Sequence, residues 1–224
     1  MITTLTEFLI GLTLTVNSTG DIPPEFRRNS LGFIQNTIVN CELRIEQLKA
    51  EAEAERIRQE QLRIEAELEA QRKANVSFDP YDLRSLSHIN YDEMYAVLEG
   101  SGLEDIAWCF VDSEEYNVNA FLIASIVALE SGWSSSAKAR NYNNLGGVGV
   151  YDDNTRGKVY SSRSECVFDI ANFLRRDYLT EGGAYYNGYS VWDVNIKYSK
   201  SSSWADKVVA IAYELLNKYN KIYR

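Results

Sequence analysis

Histidine is almost missing from this 224-residue chain: His88 is the only one. A single imidazole leaves the two- and three-histidine zinc hydrolases short of ligands. A Ser/His/Asp triad would have to use His88, and no Gly-x-Ser-x-Gly turn is present to raise a nucleophilic serine. Cysteine is scarce too. Cys41, Cys109 and Cys166 are odd in number and far apart, so a disulfide framework is not expected and the thiols read as small buried hydrophobes. Cys109 in particular lies within the apolar run Ile106-Ala107-Trp108-Cys109-Phe110, which argues against a Cys/His pair. No apolar run is long enough to span a bilayer, so stable membrane insertion is not expected. Basic residues are in deficit, 23 Lys and Arg against 32 Asp and Glu, giving a net charge of −9. A basic face for nucleic acid is thereby excluded. Hydrolytic chemistry here must come from carboxylates, hydroxyls and amides, with no metal and no cofactor.

What is present is a globular composition, 45% apolar and 12% aromatic, ordered in four stretches. Residues 1–40 form a weakly patterned docking segment. Its apolar piece, residues 8–16, follows Glu7 where a secretory signal would carry positive charge, and Pro23-Pro24 ends whatever regular structure precedes it. Residues 41–75, rich in Ala, Glu, Arg, Gln and Leu, read as a long amphipathic, coiled-coil-like helix whose pattern begins near Ser30. Ile38, Cys41, Ile45, Leu48 and Ala52 make a narrow seam, continued out of phase by Ile57, Ile64 and Leu68. That stripe favours self-association or docking through residues 38–70 over a solvated spacer. Residues 76–90, with Pro80, read as a linker.

Residues 91–224 read as one mainly α domain. Helices are expected at 91–98, 118–129, 165–178 and 203–219, the last opened by a Ser203-x-x-Asp206 capping box. Two β-prone pieces around an Asp-Asn turn between residues 146 and 160 suggest a small β-hairpin lobe. Trp192 and Trp204 read as core, and Tyr185-Tyr186-Asn187-Gly188-Tyr189 as a packed loop.

Glu130 is the residue out of place. It ends an apolar helix just before Gly132, where the helix dipole opposes a negative charge. Apolar neighbours such as Trp133 would raise its pKa further, which is what a general acid needs. Beyond it the chain turns to hydroxyls, amides and glycine, groups suited to sugar hydroxyls and acetamides.

Ala128-Leu129-Glu130-Ser131-Gly132-Trp133, then Ser136, Ala139 and Asn143-Asn144-Leu145-Gly146-Gly147-Val148, resembles the signature of glycoside hydrolase family 73. These glucosaminidases are lysozyme-like peptidoglycan hydrolases. Gly146 stands where the family usually has Phe. Tyr160 with its following helix, Lys197-Tyr198-Ser199, and Trp204-Ala205-Asp206-Lys207-Val208 extend the resemblance over residues 90–220; the last matches a Tyr-Ala-x-Lys-Ile element.

The resemblance implies a lysozyme-like α+β domain that binds and cuts bacterial peptidoglycan. It implies Glu130 as general acid and Tyr198 across the cleft. Trp133, Asn143, Asn144 and Tyr160 are the candidate substrate-binding residues. The second carboxylate stays open among Asp153, Asp152 and, more distantly, Glu165, with substrate assistance by the 2-acetamido group as the other route. A lytic transglycosylase or muramidase, or a glycan-binding tail protein without activity, are the competing readings. The absence of an evident export signal, together with residues 1–75, leads to the expectation of a phage protein mounted on the virion tail. The alternative is one held in the host cytoplasm until holin release.

Overall fold

A computed structural model describes residues 24–150 and 155–224, without side chains for residues 24–27. The chain divides into two units, Met1–Leu68 and Glu69–Arg224.

Helix α1 spans Pro24–Asn75, longer at its start than the sequence pattern predicts; a proline is tolerated there because the first helical N–H groups have no intrahelical acceptor. Within the first unit its surface is ordered by short-range ion pairs, Arg56 with Glu53 at 2.8 Å and Arg63 with Glu60 at 2.7 Å, each contributing a few tenths of a kcal/mol. Leu48, Ile57, Ile64 and Leu68 of the predicted seam are exposed. Residues 1–23 of the expected docking segment lie outside the described residues.

The second unit is built around α4, Ala120–Ser131. Every residue from Ala120 to Ala128 is buried, which is the condition for a helix apolar on all sides to exist in water. Helices α2 (Tyr91–Leu98), α3 (Ala107–Asp112), α5 (Ala137–Tyr142), α6 (Arg163–Phe173), α7 (Val191–Tyr198) and α8 (Trp204–Tyr223) complete it. Helix α4 packs on α8, α3 and α6, while α2 packs on α3 and α8. Tyr219, Val208, Ala212 and Leu215 form the buried stripe of α8.

Three sequence expectations are corrected. Among the described residues no strand forms. Among the described residues of the expected hairpin, the Lys158 N–H bonds the Val148 carbonyl at 2.8 Å, and the glycine-rich arm is occupied by a tight turn from Gly147 to Val150. The helix predicted over 165–178 ends at Phe173 and continues as a wider π turn, Leu174–Tyr178. The Ser203 cap makes no side-chain bond to its helix; its hydroxyl pairs with that of Ser201 at 3.1 Å, and Asp206 accepts the indole N–H of Trp192.

The segment expected as a linker, residues 76–90, is packed into this unit. Val76, Phe78, Leu83 and Ile89 are buried. Asn119 holds them: its side chain caps α4 at Phe121 N and donates to the carbonyls of Ser77 and Ser85 at 3.3 and 2.8 Å. The end of α1 is fastened nearby. Arg72 makes a two-pronged pair with the buried Glu93 at 2.6 and 2.8 Å, and Glu93 also completes the capping box of α2 with Asn90. The Arg224 guanidinium donates to the last carbonyls of α1, Lys73 and Ala74, both at 2.9 Å.

Replacing Asn119 with Ala removes the cap and leaves two carbonyls without a partner. A loss of about 2–4 kcal/mol is expected, read as a lower urea midpoint with an unchanged slope. A change within measurement error would mean that residues 76–90 are not held as described.

Candidate functional site

Helix α4 ends in a left-handed turn, Gly132, Trp133 and Ser134 with φ of 57°, 57° and 69°. Two of these are not glycine, so the turn is strained, and it is held from both sides. Trp133 N–H bonds the Ala128 carbonyl at 2.9 Å, and Ser134 N–H bonds the buried Ser131 hydroxyl at 2.7 Å. Gly102 has no room for a side chain, since a Cβ there would lie 2.2 Å from the Trp133 carbonyl oxygen. The turn therefore presents Glu130 in one orientation at the helix end.

Glu130 as a residue is exposed, but its carboxyl is drawn inward. Oε1 accepts a hydrogen bond from the indole N–H of Trp204, the first residue of α8, at 2.7 Å. Oε2 faces Gly147, where a Cβ would stand 3.9 Å from it. Desolvation raises the carboxyl's pKa above the ordinary glutamate value, and the Trp204 bond, which favours the charged form, only partly offsets it. The C-terminal dipole of α4 acts in the same direction as desolvation. The group is thus a carboxylic acid biased towards holding its proton.

Tyr198 closes one side. Its ring packs on Trp204 at 4.6 Å between centroids and on Tyr178 at 5.5 Å; the π turn before Leu179 is what carries Tyr178 to that position. Burial, with the charge of Glu130 second, raises the Tyr198 hydroxyl pKa, so it stays a neutral O–H donor. Glu130 and Tyr198, which the family resemblance pairs, both lie against Trp204, one through a hydrogen bond and the other through ring packing. It placed Trp204 in the core, where it is indeed 4% exposed, without its bond to Glu130. The signal was available in principle, because a buried indole N–H must find an acceptor.

The remaining predicted site residues are placed differently. Asn144 is buried, and its side chain accepts from Val148 N at 2.9 Å and donates to the carbonyls of Val148 and Lys158, both at 2.9 Å. Asn143 donates to the Tyr160 carbonyl at 3.1 Å. Both amides hold the glycine-rich loop beside Glu130. Tyr160 is 2% exposed and donates its hydroxyl to Asp169 at 2.6 Å, an acceptor shared with Lys158 at 2.7 Å; its ring is a packing element. Trp133 is half-buried against the core. Gly146 abuts Ile170, where a Cβ would lie 2.6 Å from Cδ1, so the larger residue usual in the resembled family would have to displace the Ile170 side chain. Glu165 accepts from Ser161 N and Oγ, both at 2.7 Å, as a local cap with a lowered pKa caused by those bonds. Asp152 and Asp153 lie outside the described residues.

Residues 111–217 match the family model named Glucosaminidase, described as mannosyl-glycoprotein endo-beta-N-acetylglucosaminidase. Two curated relatives from Streptococcus pneumoniae, of strains TIGR4 and R6, are each described as a putative endo-beta-N-acetylglucosaminidase. Each is 24% identical over 132 residues, 57% of this chain. The chain spans about a fifth of their length, 20% and 19%. The fold resembles that of Staphylococcus aureus autolysin E. One crystal structure, in complex with the muropeptide NAM-L-Ala-D-iGlu, aligns with a TM-score of 0.52 at 23% identity, covering 68% of this chain and 77% of that one. A catalytic mutant of autolysin E in complex with the disaccharide NAG-NAM aligns with a TM-score of 0.51 at 24% identity, over 68% and 77%.

The acid makes a measurable prediction. A carboxyl whose folded pKa is raised adds stability that is full below the unfolded glutamate value and is lost as pH rises through the folded one. An NMR titration of the Glu130 carboxyl should give a midpoint above the ordinary glutamate range, and Trp204→Phe, which deletes the bond favouring the anion, should move it higher still. A downward shift in Trp204→Phe contradicts the assignment.

Proposed function

We propose that the region matching the glucosaminidase family hydrolyses β-1,4 glycosidic bonds in the glycan strands of bacterial peptidoglycan, as an endo-N-acetylglucosaminidase with Glu130 as general acid. The observation that carries this reading is the Glu130 carboxyl itself, desolvated at the end of α4 and gripped by Trp204. An acid with a raised pKa can deliver a proton to the leaving glycosidic oxygen at neutral pH. Gly147, beside Oε2, adds no side chain of its own next to the acid. Tyr198 adds a neutral hydroxyl beside the acid. The muropeptide and disaccharide bound by autolysin E support the same polymer as substrate.

The second half of the reaction is assigned to Asp153 as the base that orients water, with the substrate's own acetamide as the competing route. Glu130→Gln should lower hydrolysis of purified peptidoglycan by roughly 10²–10⁴-fold while binding persists, and Asp153→Asn should do the same if Asp153 is the base. Mass spectrometry of the products checks the bond cut: reducing N-acetylglucosamine ends are expected, and anhydro-muramyl ends would identify a lytic transglycosylase. Full activity in Glu130→Gln would remove the general-acid assignment.

The reading extends to delivery. Helix α1 carries no catalytic group and exposes Leu48, Ile57, Ile64 and Leu68, which suits a mount on a larger assembly, and the proposed assembly is a phage tail. Antibody detection of the chain on purified virions is the expected result; its absence from intact particles would refute tail attachment.

A further inference from the structure

Helix α7 places Trp192 at the surface, 38% exposed, where the sequence pattern predicts a core residue. Beside it stands Tyr81, 71% exposed. The two rings lie 5.3 Å apart between centroids and are tilted by 36°. They come from segments more than a hundred residues apart, and the backbone joins those segments deliberately: Val191 N–H bonds the Pro80 carbonyl and Leu83 N–H bonds the Tyr189 carbonyl, both at 3.0 Å. The indole is also fixed in rotation, because its N–H donates to Asp206 at 3.1 Å. On the next turn of α7, Ile196 is 61% exposed and continues the apolar face.

Single exposed hydrophobics are ordinary. A pair of large aromatic rings held side by side in water by two backbone bonds and one side-chain bond is a prepaid geometry, since little conformational freedom is left to lose when a ligand binds. Asp206, which accepts the indole N–H, puts a carboxylate at the edge of the Trp192 ring, and Asp79 accepts the Tyr81 backbone N–H at 2.9 Å. Flat aromatic faces with acceptors at their edge match a pyranose, whose C–H face packs on the ring and whose hydroxyls donate outward.

We propose that Tyr81 and Trp192 form a glycan-binding platform separate from the acid site, holding sugar residues of the same strand class that the site cuts. This rests on the proposed peptidoglycan activity for the identity of the polymer. Tyr81 lies outside the residues that match the family model and Trp192 inside them. Trp204 and Asp206 are two residues apart on α8 and project to different sides of it, so the platform and Glu130 sit on different faces of that helix. The platform acts in retention on an insoluble wall and adds nothing to the chemical step.

The test uses the full chain, purified bacterial sacculi for binding in the cold, and a soluble muropeptide for turnover. Tyr81→Ala with Trp192→Ala should weaken retention on sacculi by roughly tenfold, the equivalent of about 1.4 kcal/mol, and leave muropeptide turnover unchanged. Trp192→Phe, which keeps a flat ring, should retain most of the binding. Tyr81→Ala alone removes a side chain that the core does not use, so its partial loss of retention is readable even if the double variant folds poorly. Undiminished retention in Tyr81→Ala and in the double variant overturns the platform. Loss of muropeptide turnover in folded variants overturns its separation from the acid site. If the unaltered chain binds sacculi but cleaves no substrate, the activity reading fails, and the retention comparison still decides the platform.

Discussion

The second unit depends on keeping one helix out of water. Helix α4 has no polar face to offer, so it is stable only when α3, α6 and α8 cover it. Burying it completely creates two obligations at its ends, because terminal N–H and C=O groups need partners. At the start Asn119 meets the obligation and gathers residues 77 and 85 in doing so. At the end the left-handed turn meets it, and leaves Glu130 as the one ionisable side chain on the helix. The same packing that stabilises the domain thus delivers a carboxyl to a poorly hydrated spot and shifts its proton equilibrium.

The polar residues around that carboxyl divide into those that hold the loop and those that are left for chemistry. Asn143, Asn144, Asp169 and Lys158 are engaged with one another or with the backbone. Their role is to keep Gly147 against the acid. Gly157 serves the same purpose, with φ of +75° and a position where a Cβ would fall 2.8 Å from the Val148 carbonyl oxygen. A loop with few side chains of its own is held rigid by side chains from beneath it. Trp204 belongs to both groups, filling the core with its ring and steering the carboxyl with its N–H.

Much of this was legible before any coordinates. Helix α4 could be read from apolar spacing, and Glu130 from the conflict between a carboxylate and a helix C-terminus, because both are local rules. Helices α3, α5 and α7 were not read, since short helices are set by what they pack against and their periodicity is too brief to show. The failure at residues 76–90 has the same origin. Pro80 and scattered polar residues look like a linker, yet the irregularly spaced Val76, Phe78, Leu83 and Ile89 enter a core supplied by distant segments. The backbone bonds of the loop asparagines could not be read from sequence, because amides suit sugar and backbone equally well. Trp204 was placed in the core correctly, but its hydrogen bond joins residues 74 apart, beyond any local pattern.

That separation bears on how the chain comes off the ribosome. Glu130 is translated long before Trp204, and at ~5–20 residues per second the interval is roughly 4–15 s. During it the carboxyl lacks its indole partner and α4 lacks the cover of α8, so it titrates like any glutamate on an open chain. The nascent polypeptide carries the acidic residue without the acid. The carboxyl gains its partner only when α8, made later than α4, folds against it.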